Sequence, residues 1–193
     1  MQGDASEIVL TGQDLREVTG FAAACAQTVL ELFETGRPDD PRPRDAIAAA
    51  WDFAGGGERG KALRDTAWAA LKAAGDAETA AAREAARAAM AAAGAAYLHP
   101  LARATQVKHI LGAAAHAARA AELAVGAAGV PGPAGVAGYA PDTGAEHIRQ
   151  AARRATPAVV EVLERFPGAP QGGGRVGELT RLLDARLRRH PLA

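Results

Sequence analysis

Alanine is the residue that most constrains how this 193-residue chain can fold. Hydrophobic residues make up 49% of the sequence, alanine supplies most of that fraction, and aromatic residues make up only 4%. Because alanine has the highest helix propensity but buries little area, its helices form readily and must approach closely to share a core. No strand-like alternation of β-branched residues between turns occurs. The sequence therefore predicts an all-α protein, built as a single compact, alanine-rich helical bundle.

Apolar spacing and helix-breaking residues divide the chain into about seven helices. We expect residues 1–10 to be a flexible lead-in and residues 11–193 to form one helical domain, because this length supports one sizeable core. Thr11 and Asp14 have the spacing of a capping box, and glycine and proline clusters mark later boundaries. Pro157 is a point where the sixth helix bends or restarts. The glycine- and proline-rich stretch at about 126–144 is expected to be a surface loop.

The charge balance and the cysteine count limit the partners and the compartment. The 22 basic and 22 acidic residues give a formal net charge of zero, so we expect no nucleic-acid partner. No uncharged apolar run reaches about 18 residues and no signal-peptide pattern begins the chain, so we expect no membrane partner. The single cysteine, Cys25, excludes an internal disulfide and indicates a cytoplasmic protein.

Few residues offer catalytic chemistry. The only serine is Ser6, and no Gly-x-Ser-x-Gly motif occurs, which excludes a serine hydrolase. Cys25 lies on the regular apolar seam of the first helix, so we interpret it as a small buried hydrophobe and not as a nucleophile. The glycine-rich residues 172–177 precede a helix and could bind an anion, but they match neither a Walker motif nor a dinucleotide fingerprint, so a flexible turn is the preferred interpretation. We expect no enzyme activity and no cofactor.

Three histidines are the candidates for a ligand-binding site: His99, His109 and His116. The last two are seven residues apart on one helix face, about 10.5 Å along the axis, which is too far for both to chelate one metal ion. No Glu-x-x-His pair or His-Glu-x-x-His motif occurs, so we predict no metal site. Partly buried histidines that serve the core are the first interpretation. The alternative is a helical bundle that binds a small ligand or a metal ion through these three histidines, and a third hypothesis is an enzyme of unknown type that uses them.

A charged segment joins the first two predicted helices. Here acids and arginines alternate around prolines, and Arg42 and Arg44 can form ion pairs with Asp39, Asp40 or Asp45. A salt-bridged corner is the structural interpretation. The functional alternative is a preorganised charged surface for a protein partner, with Asp40, Arg42, Arg44 and Asp45 as the candidates.

Three stretches resemble a known family. Residues 21–34 (FAAACAQTVLELFE), residues 40–47 (DPRPRDAI) and Trp51 resemble the opening of a family of bacterial immunity proteins, the five-like group found beside polymorphic-toxin systems. The segment 109–116 (HILGAAAH) is similar to a later family segment, so the resemblance covers roughly residues 15–125. Some relatives carry an exonuclease-subunit label, which would require an ATPase cassette and long coiled coils that this sequence lacks.

The resemblance implies a cytoplasmic, non-enzymatic helical protein that neutralises a cognate toxin by direct binding. Such binding needs a complementary surface with aromatic or arginine anchors. Arg42 and Arg44 are therefore the first residues to test.

Overall fold

The computed structural model describes residues 6–127 and 141–189. These residues form helices and contain no β-strand, only an isolated bridge between Glu7 and Leu101, which confirms the predicted all-α class. Among the described helices, none is long and apolar enough to cross a membrane. The helices are α1 (Gly12–Gln27), α2 (Leu30–Glu34), α3 (Arg42–Ala54), α4 (Lys61–Asp76), α5 (Ala80–Ala95), α6 (Val107–Ala127), α7 (Pro141–Arg154), α8 (Pro157–Glu164) and α9 (Gly174–Arg189), with a short 3₁₀ turn (Ala104–Gln106) before α6.

Local side-chain chemistry sets the helix boundaries. The predicted capping box is present: the Asp14 backbone N–H donates to Thr11 Oγ1 at 3.0 Å, and the Thr11 N–H donates to Asp14 Oδ2 at 2.8 Å. The predicted sixth helix restarts at Pro157, because proline cannot donate to the preceding turn and the Thr156 hydroxyl caps the new helix. The predicted first helix also divides: the backbone N–H groups of Thr28 and Val29 donate three residues back, to Cys25 and Ala26, and Val29 has a non-helical φ of −125° and ψ of 5°.

The core is built around α5 and α6, whose inward faces consist mainly of alanine. Helix α5 packs against α1, α2, α3, α4 and α6, and the alanines on its inward sides have almost no exposed surface. Small side chains let the neighbouring helices approach closely, and larger residues such as Phe33, Ile47 and Leu111 fill the remaining space. The bundle is therefore held by many small contacts around two central helices.

The N-terminal segment that the sequence predicted to be a flexible lead-in is described from residue 6. The backbone N–H of Ile8 donates to the carbonyl of Pro100, and that of Ala102 donates to the carbonyl of Ser6. Ile8 and Leu10 pack partly buried against the core. These contacts fix residues 6–10 beside the chain that leads into α6. Of the predicted loop at 126–144, residues 128–140 lie outside the described residues.

Two buried carboxylates anchor α9 to the bundle. Glu122 of α6, 4% exposed, accepts hydrogen bonds from Arg175 Nη2 at 2.6 Å and from Arg119 Nη1 at 3.0 Å. Further along α9, Asp184 accepts a hydrogen bond from Arg188, whose guanidinium also donates to carbonyl groups at the end of α8. These contacts fix both halves of α9.

Candidate functional site

A cleft of about 460 Å³ opens between α5, α6 and the segment that leads into α9. Lys108, His109 and His116 line it from α6, Met90 lines it from α5, and Val176 lies on the opposite side. We call it the histidine cleft. Its volume and its mixture of apolar surface with a few polar groups are typical of sites for small molecules.

His116 is oriented by a buried carboxylate. Its Nδ1 lies 2.6 Å from Glu84 Oε2, and because an ionised carboxylate only accepts, the imidazole Nδ1–H is the donor. The other oxygen of Glu84 accepts from Arg87 Nη1 at 2.7 Å. Burial raises the pKa of Glu84, but its hydrogen bonds and charge interactions with His116 and Arg87 outweigh burial, so that pKa is lowered overall. The ring of His116 therefore has a fixed orientation at the edge of the cleft.

His109 lies two turns before His116 in a different environment. Its Nδ1–H donates to the carbonyl of Gly94 across 3.2 Å. Burial lowers the pKa of His109, the hydrogen bond to Gly94 opposes this shift, and electrostatic interactions with Lys108 and His99 lower the pKa further. His109 is consequently neutral at pH 7.

The structure brings together two of the three predicted histidines. His109 and His116 both line the cleft, whereas His99 is exposed and does not line it. The backbone N–H of His99 donates to Gln106 Oε1 before α6 begins. Within residues 6–127 and 141–189, no group of three or more His, Cys, Asp or Glu side chains could hold a metal ion.

A glycine-rich turn forms the outer wall of the cleft. Gly172, Gly173 and Gly174 have φ angles of 86°, 76° and 56°, which side-chain-bearing residues rarely adopt. Arg181 Nη1 donates to the carbonyls of Pro170, at 3.0 Å, and Gly172, at 2.8 Å. A Cβ atom at Gly177 would overlap the Gly172 oxygen. The predicted glycine-rich turn is present: its glycines permit this backbone conformation, and Arg181 bonds two of the carbonyl groups in it.

Cys25 is 3% exposed within the bundle. Burial raises the pKa of its thiol to about 12, with a small opposing effect of the positive charge of Arg154. A thiol that stays protonated is a poor nucleophile. The interpretation of Cys25 as a small buried hydrophobe is confirmed.

The charged segment before α3 forms a salt-bridged corner around Arg42. Its Nε and Nη2 donate to the two carboxylate oxygens of Asp40 at 2.8 and 2.6 Å, and Nη2 also donates to Asp76 Oδ2 at 2.8 Å. The hydrogen bond from Arg42 lowers the pKa of Asp40, against the effect of burial. Because Asp76 ends α4, this cluster joins the start of α3 to the end of α4.

Arg44 and Asp45, the other two candidates of this segment, face solvent. Arg44 Nε donates to Glu34 Oε1 at 2.7 Å, a partner that the sequence did not suggest, and 64% of the Arg44 side chain remains exposed. Asp45 lies in the first turn of α3, where its negative charge interacts favourably with the helix dipole.

The sequence analysis missed two exposed aromatic residues. Trp51 on α3 is 45% exposed and Trp68 on α4 is 57% exposed, and they are the only tryptophans of the chain. Three residues beyond Trp68, Leu71 is 37% exposed. The buried stripe of α4 passes through Leu63 and Ala70, and at 3.6 residues per turn Trp68 falls on the face opposite to it, with Leu71 at its edge. Helical spacing measured from Leu63 would have predicted that Trp68 is exposed. That exposure is missed when every apolar residue is assumed to be buried.

The described residues thus form an alanine-rich helical bundle with an ion-paired corner, two exposed tryptophans and a histidine cleft. Residues 9–131 match the model of a family described as "Imm-5 like putative immunity protein". The match extends over more than half of the chain, and the protein belongs to that family. No curated protein and no solved structure matches it. The matched span includes α1 to α6 and ends before α7. It contains the salt-bridged corner, both tryptophans and the three candidate histidines, His99, His109 and His116.

Proposed function

We propose that this protein is an immunity protein that binds a toxin directly and blocks it without catalysing a reaction. The observation that carries the proposal is the exposure of both tryptophans, Trp51 and Trp68, within the family-matched span. Tryptophan has the largest apolar surface to bury, and aromatic residues make up only 4% of this chain. Tryptophan is also enriched among the residues that dominate binding energy at protein interfaces.

The surface that we assign to the toxin lies on the α3–α4 hairpin. Helix α4 packs against α3 and α5, and it exposes Trp68 and Leu71 one turn apart. The Arg42–Asp76 ion pair keeps α3 and α4 in register at one end of this hairpin. An apolar centre with charged groups at its margin is the usual composition of a protein interface.

The two arginines of the corner have different roles in this proposal. Arg42 is already engaged by Asp40 and Asp76, so it preorganises the surface, which reduces the cost of ordering on binding. Arg44 keeps N–H donors beyond its bond to Glu34 and is mostly exposed, so it is the arginine available to a carboxylate of the toxin. Asp45 contributes an exposed negative charge that selects among partners.

A search of the flanking genes for a toxin, followed by co-expression of that toxin with this protein, tests the proposal; the absence of any adjacent toxin gene would contradict it. We expect growth rescue and a stable complex for the natural chain. Trp68→Ala should weaken the complex by at least about tenfold and reduce rescue, because truncating a central aromatic anchor removes a large part of the binding energy. Circular dichroism should show an unchanged helical content, because Trp68 is more than half exposed.

A pair of leucines provides the matched control. Leu71 on α4 is 37% exposed and Leu182 on α9 is 42% exposed, so the same truncation removes comparable surface at two distant places. We expect Leu71→Ala to weaken the complex and Leu182→Ala to leave it unchanged. Equal effects of the two variants would contradict the assigned surface, and failure of the adjacent toxin to bind the natural chain would contradict the function.

A further inference from the structure

The histidine cleft combines an apolar lining with one positively charged side chain. Met90, Ala91 and Val176 contribute apolar surface, and Lys108 contributes a positive charge. Among the described residues that line the cleft, none is acidic. A molecule bound there would meet basic and apolar groups but no carboxylate on the lining.

The hydrogen bonds of the cleft leave one nitrogen of each histidine available. The Nδ1–H groups of His109 and His116 are held by the carbonyl of Gly94 and by Glu84. Neither Nε2 has a hydrogen-bond partner in the described part of the chain. When Nε2 of His116 carries a proton, it can donate to an anion while Glu84 compensates the charge of the ring.

Both walls of the cleft are held by contacts within the protein. Arg181 holds the carbonyls of Pro170 and Gly172, and the close approach of Gly172 to Gly177 fixes the turn against the start of α9. On the opposite side, His116 is oriented by a carboxylate that is itself bonded to Arg87. A preformed site loses little freedom on binding, so a small ligand can be held by few polar contacts.

We propose that the histidine cleft binds a small organic anion with an apolar body. Its carboxylate or phosphate group accepts from Nε2 of His116, the charge of Lys108 favours its entry, and its apolar part lies along Met90 and Val176. This site is separate from the α3–α4 surface assigned to the toxin and does not depend on that assignment.

Titration of the full-length protein with defined probes, followed by ¹H–¹⁵N and histidine-ring NMR, tests this inference. Hexanoate and phenyl phosphate carry an apolar body, acetate and inorganic phosphate lack it, and hexanamide lacks the charge. We expect saturable shifts at His116 and Val176, with a Kd for hexanoate at least about tenfold below that for acetate, because each buried methylene strengthens binding. Benzoate and phenyl phosphate both carry a phenyl ring, so the tighter of these two identifies the anionic group as carboxylate or phosphate.

Two variants locate the site. Lys108→Ala should weaken the tighter probe about threefold or more, and His116→Gln, which keeps a donor for Glu84, should weaken it about tenfold or more. Lys72→Ala removes the same charge from an exposed position on α4 and should have no effect. Lys108 is exposed, so its variant remains informative even if His116→Gln is less stable.

Three results would overturn the inference. They are the absence of saturable binding by both apolar anions, equal affinity for hexanamide and hexanoate, and equal weakening by Lys108→Ala and Lys72→Ala. Equal affinity for acetate and hexanoate would overturn the role of the apolar lining.

Discussion

Replacing Glu122 by glutamine tests how α9 is attached to the rest of the bundle. The side chain is 4% exposed and accepts hydrogen bonds from both Arg175 and Arg119. Glutamine has nearly the same shape but no charge, and its amide group would direct N–H donors at a guanidinium. Helix α7 passes so close that a Cβ at Gly144 would overlap the carboxylate, so the new side chain has no room to turn away.

The expected loss of stability in Glu122→Gln follows from how deeply Glu122, Arg119 and Arg175 are buried. Removing one member of a fully buried ion pair costs about 3–5 kcal/mol, because the remaining charge is left without compensation. Here Arg119 and Arg175 are each 28% exposed, so water replaces part of the lost interaction. We therefore expect Glu122→Gln to lower the free energy of unfolding by about 2–4 kcal/mol.

Urea denaturation followed by circular dichroism measures this change without adding ionic strength. With a denaturant dependence of about 2 kcal/mol per molar urea, the midpoint should fall by about 1–2 M. Glu146→Gln is the matched control, because Glu146 also binds two arginines but on the exposed side of α7. We expect a much smaller shift for this control. Equal midpoint shifts for the two variants would refute the reasoning that burial makes the Glu122 contacts important.

Three further predictions concern the glycine wall and two buried titratable groups. Gly177→Ala should lower the melting temperature, because its Cβ would overlap the Gly172 oxygen, whereas Gly75→Ala, which meets no atom within 4 Å, should raise it. The pKa of His109 is lowered in the folded protein, so as the pH falls below the ordinary histidine pKa of 6.5 the unfolded chain binds more protons than the folded protein does. Stability measured by urea should therefore fall as the pH decreases from 7 to 5, and less so for His109→Gln. Cys25 should react with a thiol reagent at pH 8 only after urea unfolds the protein, and fast reaction of the native protein would contradict its burial.

Most helix boundaries could be predicted because their signals are local. The Thr11–Asp14 capping box begins α1, Pro157 begins α8, and α3 ends where the glycines at 55–57 begin. The division between α1 and α2 could not be predicted, since it contains no glycine or proline. The Thr28 hydroxyl donates to the Cys25 carbonyl there, but Thr66 makes the same contact with Leu63 inside the unbroken α4, so the presence of a threonine does not mark the break.

The geometry of the candidate sites depends on tertiary contacts, which residue spacing along the sequence does not specify. The seven-residue spacing of His109 and His116 correctly predicted a shared face, and both histidines line the cleft. The partner of His116 is Glu84 of the preceding long helix, and only the packing of α5 against α6 brings these residues together. Trp68 could have been assigned to the surface from its position relative to Leu63, because that comparison uses spacing within one helix.

The histidine cleft is formed by two parts of the chain, one inside the family-matched span and one beyond it. Helices α5 and α6, with the oriented imidazoles, lie inside the matched span 9–131, and the glycine turn at 170–177 follows it. Substitutions in that turn can reshape the pocket mouth while the Glu84–His116 pair stays in place. In the proposed site, Lys108, His116 and Met90 therefore lie within the family-matched span, whereas Val176, the other residue placed along the apolar body, lies outside it.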